Sequence, residues 1–393
     1  MIKREITGEL LQSAAEYPVV AVFGPRQSGK TTLVQTAFPE RPYYSLEEPD
    51  IRLLAETDPR GFLAGLPEGG ILDEIQRVPQ LLSYLQGVVD RAARSGMFIL
   101  TGSHQPELHQ AVSQSLAGRT AILTLLPFSL PELRQYGREW SPFELIVRGC
   151  FPRLHDRNLD AYRFFNGYVQ TYLERDVRAL INLKDLGQFQ RFLVLLAGRI
   201  GQVVQYSSLS NDVGVSSTTI KNWISVLRAS FVLFELPPFF ENVRKRVVKS
   251  PKIYFTDTGL AAHLLGIGTA EQLARDPLRG ALYENFAVLE ILKARLNRGK
   301  RPELYFYRDS HGNEVDAIVR NGNRLVPLEI KSAATFTPEF LKGIDHFRRL
   351  VGERCADGLV LYNGPDLMPV RGTEIVNLFS TKGYDALRER LGG

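Results

Sequence analysis

The sequence predicts an α/β protein with three parts: a parallel-sheet domain, a helical segment and a second α/β domain. In the N-terminal third, short apolar runs rich in β-branched residues alternate with helical patterns, which is typical of a parallel sheet. The middle of the chain has the spacing of three short helices, and the C-terminal third contains a helix and three strand-like runs. We therefore expect domains over residues 1–155, 156–250 and 251–393.

Length and composition indicate a globular protein of several domains. The chain has 393 residues, a length that predicts two or three domains, and its 44% apolar content excludes a disordered chain. Its two distant cysteines, Cys150 and Cys355, exclude a disulfide scaffold and a cysteine zinc cluster. Because we find neither a membrane-spanning apolar run nor a signal-peptide pattern, we expect a cytoplasmic protein without a membrane partner.

A glycine-rich loop lies between the first predicted strand, residues 17–23, and a predicted helix at 32–38. It has the pattern G-x-x-x-x-G-K-T and comprises Gly24, Pro25, Arg26, Gln27, Ser28, Gly29, Lys30, Thr31 and Thr32. A strand, such a loop and a helix form the context of a phosphate-binding loop, so we expect ATP with Mg²⁺ as cofactors. Lys30 would neutralise the β- and γ-phosphates, and Thr31 would bind the metal. A plain glycine turn is the alternative.

Polar side chains end the next two predicted strands. Asp73 and Glu74 follow the apolar run 69–72, where Asp73 would hold Mg²⁺ and Glu74 would activate the attacking water. Thr101 and Ser103 end the strand at 97–100 and are candidates to sense the γ-phosphate, since ligands gather at the carboxyl ends of parallel strands. An ordinary strand end with a solvated acidic pair is the alternative.

Arg119 allows two interpretations. An arginine is most often a solvated surface cation, but this one follows the candidate nucleotide strands. It is therefore also a candidate arginine finger that reaches the nucleotide of a neighbouring subunit. The finger requires a homo-oligomer, and we expect a ring, with a hexamer as one arrangement.

These motifs carry a family resemblance over nearly the whole chain. The segments are 24–32, 71–76, 100–103, 118–119, 126–133, 172–177 and 251–260. They resemble a group of prokaryotic P-loop ATPases in which an AAA-type domain is joined to a C-terminal region of unknown function. The resemblance implies a P-loop AAA-type sheet domain that hydrolyses ATP, of the ring-forming or signalling type.

The middle segment has helix–turn–helix spacing. Predicted helices at 192–197, 206–213 and 216–228 are followed by extended runs at 231–236 and 243–252, the arrangement of a winged helix. Residues 156–250 contain thirteen basic and eight acidic side chains, an excess equal to the net charge of +5 of the whole chain. We expect DNA contacts from Ser217, Thr218, Lys221, Asn222, Arg244, Lys245, Arg246 and Lys249. Because winged helices also bind proteins, a protein partner stays open.

The C-terminal third contains a second group of charged residues. Asp316 lies on one predicted strand and Glu329 and Lys331 share a face of the next, while Glu284 lies on the preceding helix. Asp316 and Glu329 are candidate Mg²⁺ ligands, and Lys331 would stabilise a nucleophilic water. The arrangement resembles the restriction-endonuclease-like fold and archaeal-type Holliday-junction resolvases, which implies a nuclease. A nuclease-like fold used only for binding, and a simple salt-bridged hairpin, are the alternatives.

The leading hypothesis is an ATP-driven, Mg²⁺-dependent machine that acts on DNA, for instance branched or broken DNA, with nuclease activity left open. The rival hypothesis is a signalling or regulatory ATPase that binds proteins through its two C-terminal parts.

Overall fold

The computed structural model describes residues 2–103, 115–173, 185–240 and 250–392. They form two compact units. The first comprises the chain up to Phe128 together with Ala229–Phe231 and Leu296–Lys300, and the second comprises the rest. The division into three domains at residues 155 and 250 stays a prediction. Within the described ranges, no helix combines the length and the apolar character needed to cross a membrane.

The first unit contains a five-stranded parallel sheet, which together with the second unit confirms the predicted α/β class. The strands are β1 (Val19–Phe23), β2 (Tyr43–Ser45), β3 (Gly70–Asp73), β4 (Phe98–Gly102) and β5 (Thr120–Thr124). Their order in the sheet is β2-β3-β4-β1-β5, so β4 lies between β1 and β3. The helices are α1 (Thr7–Glu16), α2 (Lys30–Ala37), α3 (Pro49–Thr57), α4 (Pro59–Ala64) and α5 (Leu81–Ala92), with a 3₁₀ turn at Ile75–Arg77.

The inner strand β1 is buried on both faces because helices cover both sides of the sheet. Val19 and Ala21 contribute to one hydrophobic core, whereas Val20 and Val22 contribute to the core on the opposite face. This two-sided burial explains why the sequence of β1 is a continuous apolar run rather than an alternating pattern of apolar and polar residues. Since all five strands are parallel, the segments that follow β1, β3 and β4 meet at one edge of the sheet.

The second unit contains a six-stranded mixed sheet, a two-stranded hairpin and helices. The hairpin pairs β6 (Leu233–Leu236) with β7 (Lys252–Phe255). The large sheet has the order β12-β13-β11-β10-β9-β8 and comprises β8 (Leu304–Arg308), β9 (Glu314–Asn321), β10 (Arg324–Lys331), β11 (Gly358–Tyr362), β12 (Leu367–Val370) and β13 (Thr373–Asn377).

The first helices of this unit are short, and its last helix lies near the C-terminal end of the described chain. They are α6 (Leu130–Arg134), α7 (Pro142–Arg148), α8 (Pro152–Asp156), α9 (Ala161–Tyr168), α10 (Leu186–Ala197), α11 (Tyr206–Val213), α12 (Ser217–Ala229), α13 (Thr258–Leu264), α14 (Ala270–Arg275), α15 (Arg279–Leu296), α16 (Lys342–Val351) and α17 (Thr381–Arg390). A π-helical turn covers Val169–Leu173, and 3₁₀ turns cover Pro338–Leu341 and Gly352–Arg354.

Three helices and the first hairpin strand lie where the helix–turn–helix pattern predicts them, whereas most of the second predicted run, 243–252, lies outside the described residues. Gly214 ends α11 with φ +81°, a conformation that glycine adopts without strain, and α12 begins three residues later. On α12, Trp223 is buried and packs against two phenylalanine rings of α10 at centroid distances of 5.3 and 5.1 Å. The second hairpin strand begins only at Lys252, and the predicted contact residues Arg244, Lys245, Arg246 and Lys249 lie outside the described residues.

Asp257 connects two parts of the second unit through backbone hydrogen bonds. It is buried, and it caps α13 by accepting from the N–H groups of Gly259 at 2.9 Å and Leu260 at 3.2 Å. Its second oxygen accepts from the N–H of Cys150 at 2.7 Å. The preceding Gly149 has φ +77°, and a Cβ there would lie 2.3 Å from the Asp257 carboxylate. Asp257 thus holds a turn more than a hundred residues away in sequence.

We expect Asp257→Ala to lower the free energy of unfolding by about 3 kcal/mol, because three N–H groups lose their acceptor in a buried place. Asp185 is the matched control, since it caps α10 through a single N–H, that of Gln188. Asp185→Ala should cost about 1 kcal/mol. Urea unfolding followed by circular dichroism measures both losses. Equal losses in the two variants would contradict the connecting role of Asp257.

Candidate functional site

The loop between β1 and α2 has the backbone that a phosphate-binding loop needs. Gly29 adopts φ +90° immediately before α2, and a Cβ at Gly24 would lie 2.0 Å from the carbonyl oxygen of Leu125, so that position accepts only glycine. Within the described chain, Leu33 is the first residue of α2 whose N–H donates to a backbone carbonyl, that of Gly29. The N–H groups at the start of α2 are therefore available to an anion.

Lys30 is buried within this loop. Its Nζ donates to the carbonyl oxygens of Gly24 at 3.2 Å and Pro25 at 2.9 Å. Burial lowers the pKa of Lys30, and the nearby carboxylates of Glu74 and Asp73 oppose this effect. A buried ammonium group that donates only to neutral carbonyls in its own loop gains from a phosphate anion.

Two polar atoms of the loop lack a partner among the described residues. The Oγ of Ser28 and the Oε1 of Gln27 are both buried without a hydrogen bond. Unpaired buried polar groups are costly, and a hydroxyl group donates readily to a phosphate oxygen. Ser28, Lys30 and the N–H groups at the start of α2 therefore form a donor set that fits the phosphates of a nucleotide.

Asp73, at the end of β3, accepts hydrogen bonds from three hydroxyl groups. They belong to Thr31 at 2.9 Å, Tyr43 at 2.6 Å, and Thr101 on β4. The contact between Thr31 and Asp73 brings together the two residues predicted to hold the Mg²⁺ of the nucleotide, and a hydroxyl with a carboxylate fits that ion. Burial and the contact with Asp73 raise the pKa of Tyr43. Sequence reasoning missed Tyr43, which begins a three-residue strand and belongs to no motif.

Glu74 lies beside Asp73 in a left-handed conformation, with φ +57°. Its carboxylate accepts from the side-chain amide of Gln76 and from the hydroxyl of Ser103 at 3.3 Å. The same Gln76 amide donates to Ser103 at 3.0 Å, and the N–H of Glu74 donates to Thr101 at 3.3 Å. Both predicted sensor residues thus contact the acidic pair. Gln76 was in the predicted motif but had no predicted role.

Arg119 is paired within its own chain. Its guanidinium donates to both carboxylate oxygens of Asp90 on α5, with a distance of 2.9 Å between Nη2 and Oδ2. The hydrogen bond between them raises the pKa of Arg119 and lowers that of Asp90. Both side chains are partly exposed, so water screens the pair. To act as an arginine finger, Arg119 would have to leave Asp90. Its role as a finger stays a prediction.

The predicted charged residues of β9 and β10 contact one another. The Nζ of Lys331 lies 3.0 Å from Asp316 and 2.6 Å from Glu329, and Asp316 also accepts from the N–H of Ile330 at 2.8 Å. Burial, together with the charge of Asp316, raises the pKa of Glu329 to about 8. Burial lowers the pKa of Lys331, but the two carboxylates outweigh it and the net shift is upward.

Glu284 on α15 is held by partners that the sequence did not predict. It accepts from the ammonium of Lys252 at 3.1 Å and from the hydroxyl of Tyr254 at 2.6 Å, both on β7. Lys252 also lies 2.6 Å from Glu314 on β9. Across the described ranges, no group of three or more His, Cys, Asp or Glu residues is arranged to hold a metal ion. In the structure these carboxylates contact ammonium groups, and Mg²⁺ binding by Asp316 and Glu329 stays a prediction.

The predicted contact residues of α12 lie on its surface. Thr218, Lys221 and Asn222 are exposed, whereas Ser217 is half-buried and hydrogen-bonds to Ser210 at 3.1 Å. The ammonium of Lys221 lies 5.4 Å from the centre of the Tyr206 ring on α11. These side chains are accessible to a partner, and three of them carry groups that contact phosphates or bases.

Three protein families match successive parts of the chain. The first is described as an AAA domain and covers residues 16–134. The other two are domains of unknown function, DUF8612 over residues 140–271 and DUF4143 over residues 279–381.

Solved structures show a more distant similarity. A Walker-type ATPase of Pyrococcus abyssi is 16% identical, with a TM-score of 0.45 over 66% of this chain and 94% of that one. DnaA of Aquifex aeolicus, bound to AMPPCP, is 14% identical, with a TM-score of 0.31 over 57% of this chain and 86% of that one.

Similar proteins occur in mycobacteria. Uncharacterized proteins of Mycobacterium tuberculosis and of Mycobacterium bovis are each 33% identical to this chain, over 95% of its length and 82% of theirs. An uncharacterized protein of Methanocaldococcus jannaschii is 30% identical over 26% of this chain and 22% of its own. The chain therefore belongs to the family of the two mycobacterial proteins, and it joins an N-terminal AAA domain to a C-terminal DUF4143 domain.

Proposed function

We propose that the first unit hydrolyses ATP at the loop between β1 and α2. The contact between Thr31 and Asp73 carries this proposal, because it joins a phosphate-binding loop to a carboxylate at the end of a neighbouring strand. Magnesium held by these two residues would neutralise charge on the β- and γ-phosphates. The buried donors described above supply the complementary half of the site.

Each residue has a separate task in this proposal. Lys30 exchanges the carbonyl oxygens of its own loop for phosphate oxygens and supplies positive charge there. Glu74 accepts a proton from the attacking water, while Gln76 and Ser103 hold its carboxylate in place. Tyr43 and Thr101 orient Asp73 by donating to it from two adjoining strands.

We further propose that this ATPase acts on DNA through the helix–turn–helix of the second unit. The support is the basic excess of residues 156–250 and the exposure of Thr218, Lys221 and Asn222 on one helix. The rival hypothesis, a signalling ATPase whose C-terminal parts bind proteins, uses the same surface for a different partner.

Cleavage of DNA is not part of this proposal. The contacts of Lys252 and Lys331 support the alternative in which the C-terminal sheet serves binding. Lys331 contacts Asp316 and Glu329, and Lys252 contacts Glu284, so ammonium groups occupy the carboxylates that a metal would need. Mg²⁺-dependent cleavage by wild-type protein would contradict this assignment.

Two substitutions test the ATPase proposal. We expect Lys30→Ala to abolish ATP binding because the loop loses its buried ammonium group. Glu74→Gln should keep binding but lower turnover by about 10²–10³-fold, because an amide cannot accept the proton. Glu48→Gln, at an exposed carboxylate of the same unit, is the control and should be neutral. Calorimetry measures binding and phosphate release measures turnover. Normal turnover in Glu74→Gln would remove Glu74 from the mechanism.

Lys221 tests the DNA proposal. If it contacts a phosphate, Lys221→Ala weakens DNA binding and lowers the slope of log K against log salt by about 0.9. Lys342→Ala is the control, since Lys342 is an exposed lysine of the same unit paired with Glu339. Fluorescence anisotropy with single-stranded, duplex and four-way DNA at several salt concentrations measures both. A protein that hydrolyses ATP but shows no salt-sensitive DNA binding and no DNA-stimulated turnover would favour the protein-binding rival.

An oligomer in which Arg119 reaches a neighbouring active site makes a mixing prediction. Arg119→Ala and Lys30→Ala proteins should each be inactive, and an equal mixture should recover about one quarter of wild-type turnover, the share of interfaces with both groups intact. Asp90→Ala is the matched control, because it removes the ion pair and keeps Arg119. If Asp90→Ala is as inactive as Arg119→Ala, or if mixing recovers nothing, the finger assignment is wrong.

A further inference from the structure

Two lysines hold four carboxylates together in the second unit. The carboxylates, here called the C-terminal acidic cluster, belong to Glu284, Glu314, Asp316 and Glu329. Lys252 lies 3.1 Å from Glu284 and 2.6 Å from Glu314. Lys331 contacts the other two at 3.0 and 2.6 Å. Each lysine therefore contacts a pair of carboxylates, and Glu314 also lies 3.6 Å from the guanidinium of Arg308. The two pairs are close together, since Asp316 acts electrostatically on Lys252 and Glu284.

Lys252 has a position that a lysine rarely adopts. Only 3% of its side chain is exposed, although it lies on a short two-stranded hairpin. A buried ammonium group is costly unless paired with opposite charge, so the pairing with Glu284 and Glu314 is what permits this burial.

The Glu284 carboxylate is enclosed by chain atoms on several sides. Tyr254, two residues after Lys252 and on the same face of β7, donates to it at 2.6 Å. Gly201 packs against it, since a Cβ there would lie 3.3 Å from the carboxylate oxygen. Gly201 is held in turn by its N–H, which donates to the carbonyl of Ile253 at 2.9 Å. The hairpin strand and its neighbours thus surround the group that was predicted to complete a metal site.

We infer that Lys252 and Lys331 are built-in cations of the C-terminal acidic cluster, and that the cluster joins β7, α15, β9 and β10 without a divalent metal ion. A metal ion and an ammonium group compete for the same carboxylate oxygens. Both lysines are tethered, so they act at a high local concentration and lose little freedom on binding. The inference does not depend on ATP hydrolysis, which concerns the other unit.

Manganese binding tests this inference in full-length protein without nucleotide. Electron paramagnetic resonance counts bound Mn²⁺ in wild type and in Asp316→Asn, a variant that removes a carboxylate of the cluster. Equal numbers are expected, because any Mn²⁺ at the loop of the first unit contributes the same to both proteins. A site in the wild type that Asp316→Asn removes would overturn the inference.

Lys252→Met tests the second half of the inference, the role of the ammonium group. The variant keeps the length of the side chain but leaves Glu284 without its cation, while Glu314 keeps only the guanidinium of Arg308 at 3.6 Å. We expect Tm to fall by roughly 5 °C or more. Lys342→Met, at an exposed pair, should leave Tm unchanged, and Lys252→Arg should stay close to wild type. An unchanged Tm in Lys252→Met would overturn the inference. If Lys252→Met does not fold while Lys252→Arg does, the loss of folding supports it.

Discussion

The pairing of β4 between β1 and β3 is the constraint on which the N-terminal site depends. Through this pairing, the loop after β1 and the carboxylates after β3 lie one strand apart, with the end of β4 between them. Thr101 occupies that end and donates to Asp73, while Ser103 contacts Glu74. The chemistry of the site therefore follows from strand order, because residues distant in sequence end parallel strands at the same edge.

The second unit relies on buried ionic groups to join its elements. Asp257 accepts backbone hydrogen bonds from two segments, and Glu290 on α15 accepts from Lys293 and from the N–H of Leu130 at the start of α6. The C-terminal acidic cluster belongs to the same class of contact. Such contacts are costly to break on one side only, so they fix the arrangement of elements more than they add net stability.

Sequence reasoning succeeded where the information is local. The glycine spacing before Lys30 and the apolar run before Asp73 depend on consecutive residues. Both patterns predicted the strands and the helix that the structure contains, and the edge of the sheet at which these residues lie. Partners such as Tyr43 and Lys252 were missed because only tertiary packing brings them to their carboxylates. Asp316, Glu329 and Lys331 were placed correctly by the alternation of two strands, yet the charge of Lys252 beside them was not visible in that pattern.

The position of Lys252 has a consequence for how this protein varies between species. A change of Lys252 to a neutral residue leaves the Glu284 carboxylate without a counter-ion, whereas a change of Glu284 alone leaves the lysine with Glu314. We therefore expect substitution at these positions to be directional, with Glu284 lost before the lysine. Relatives that lack the lysine should also lack at least one of its two partners, even where the surrounding strands are preserved.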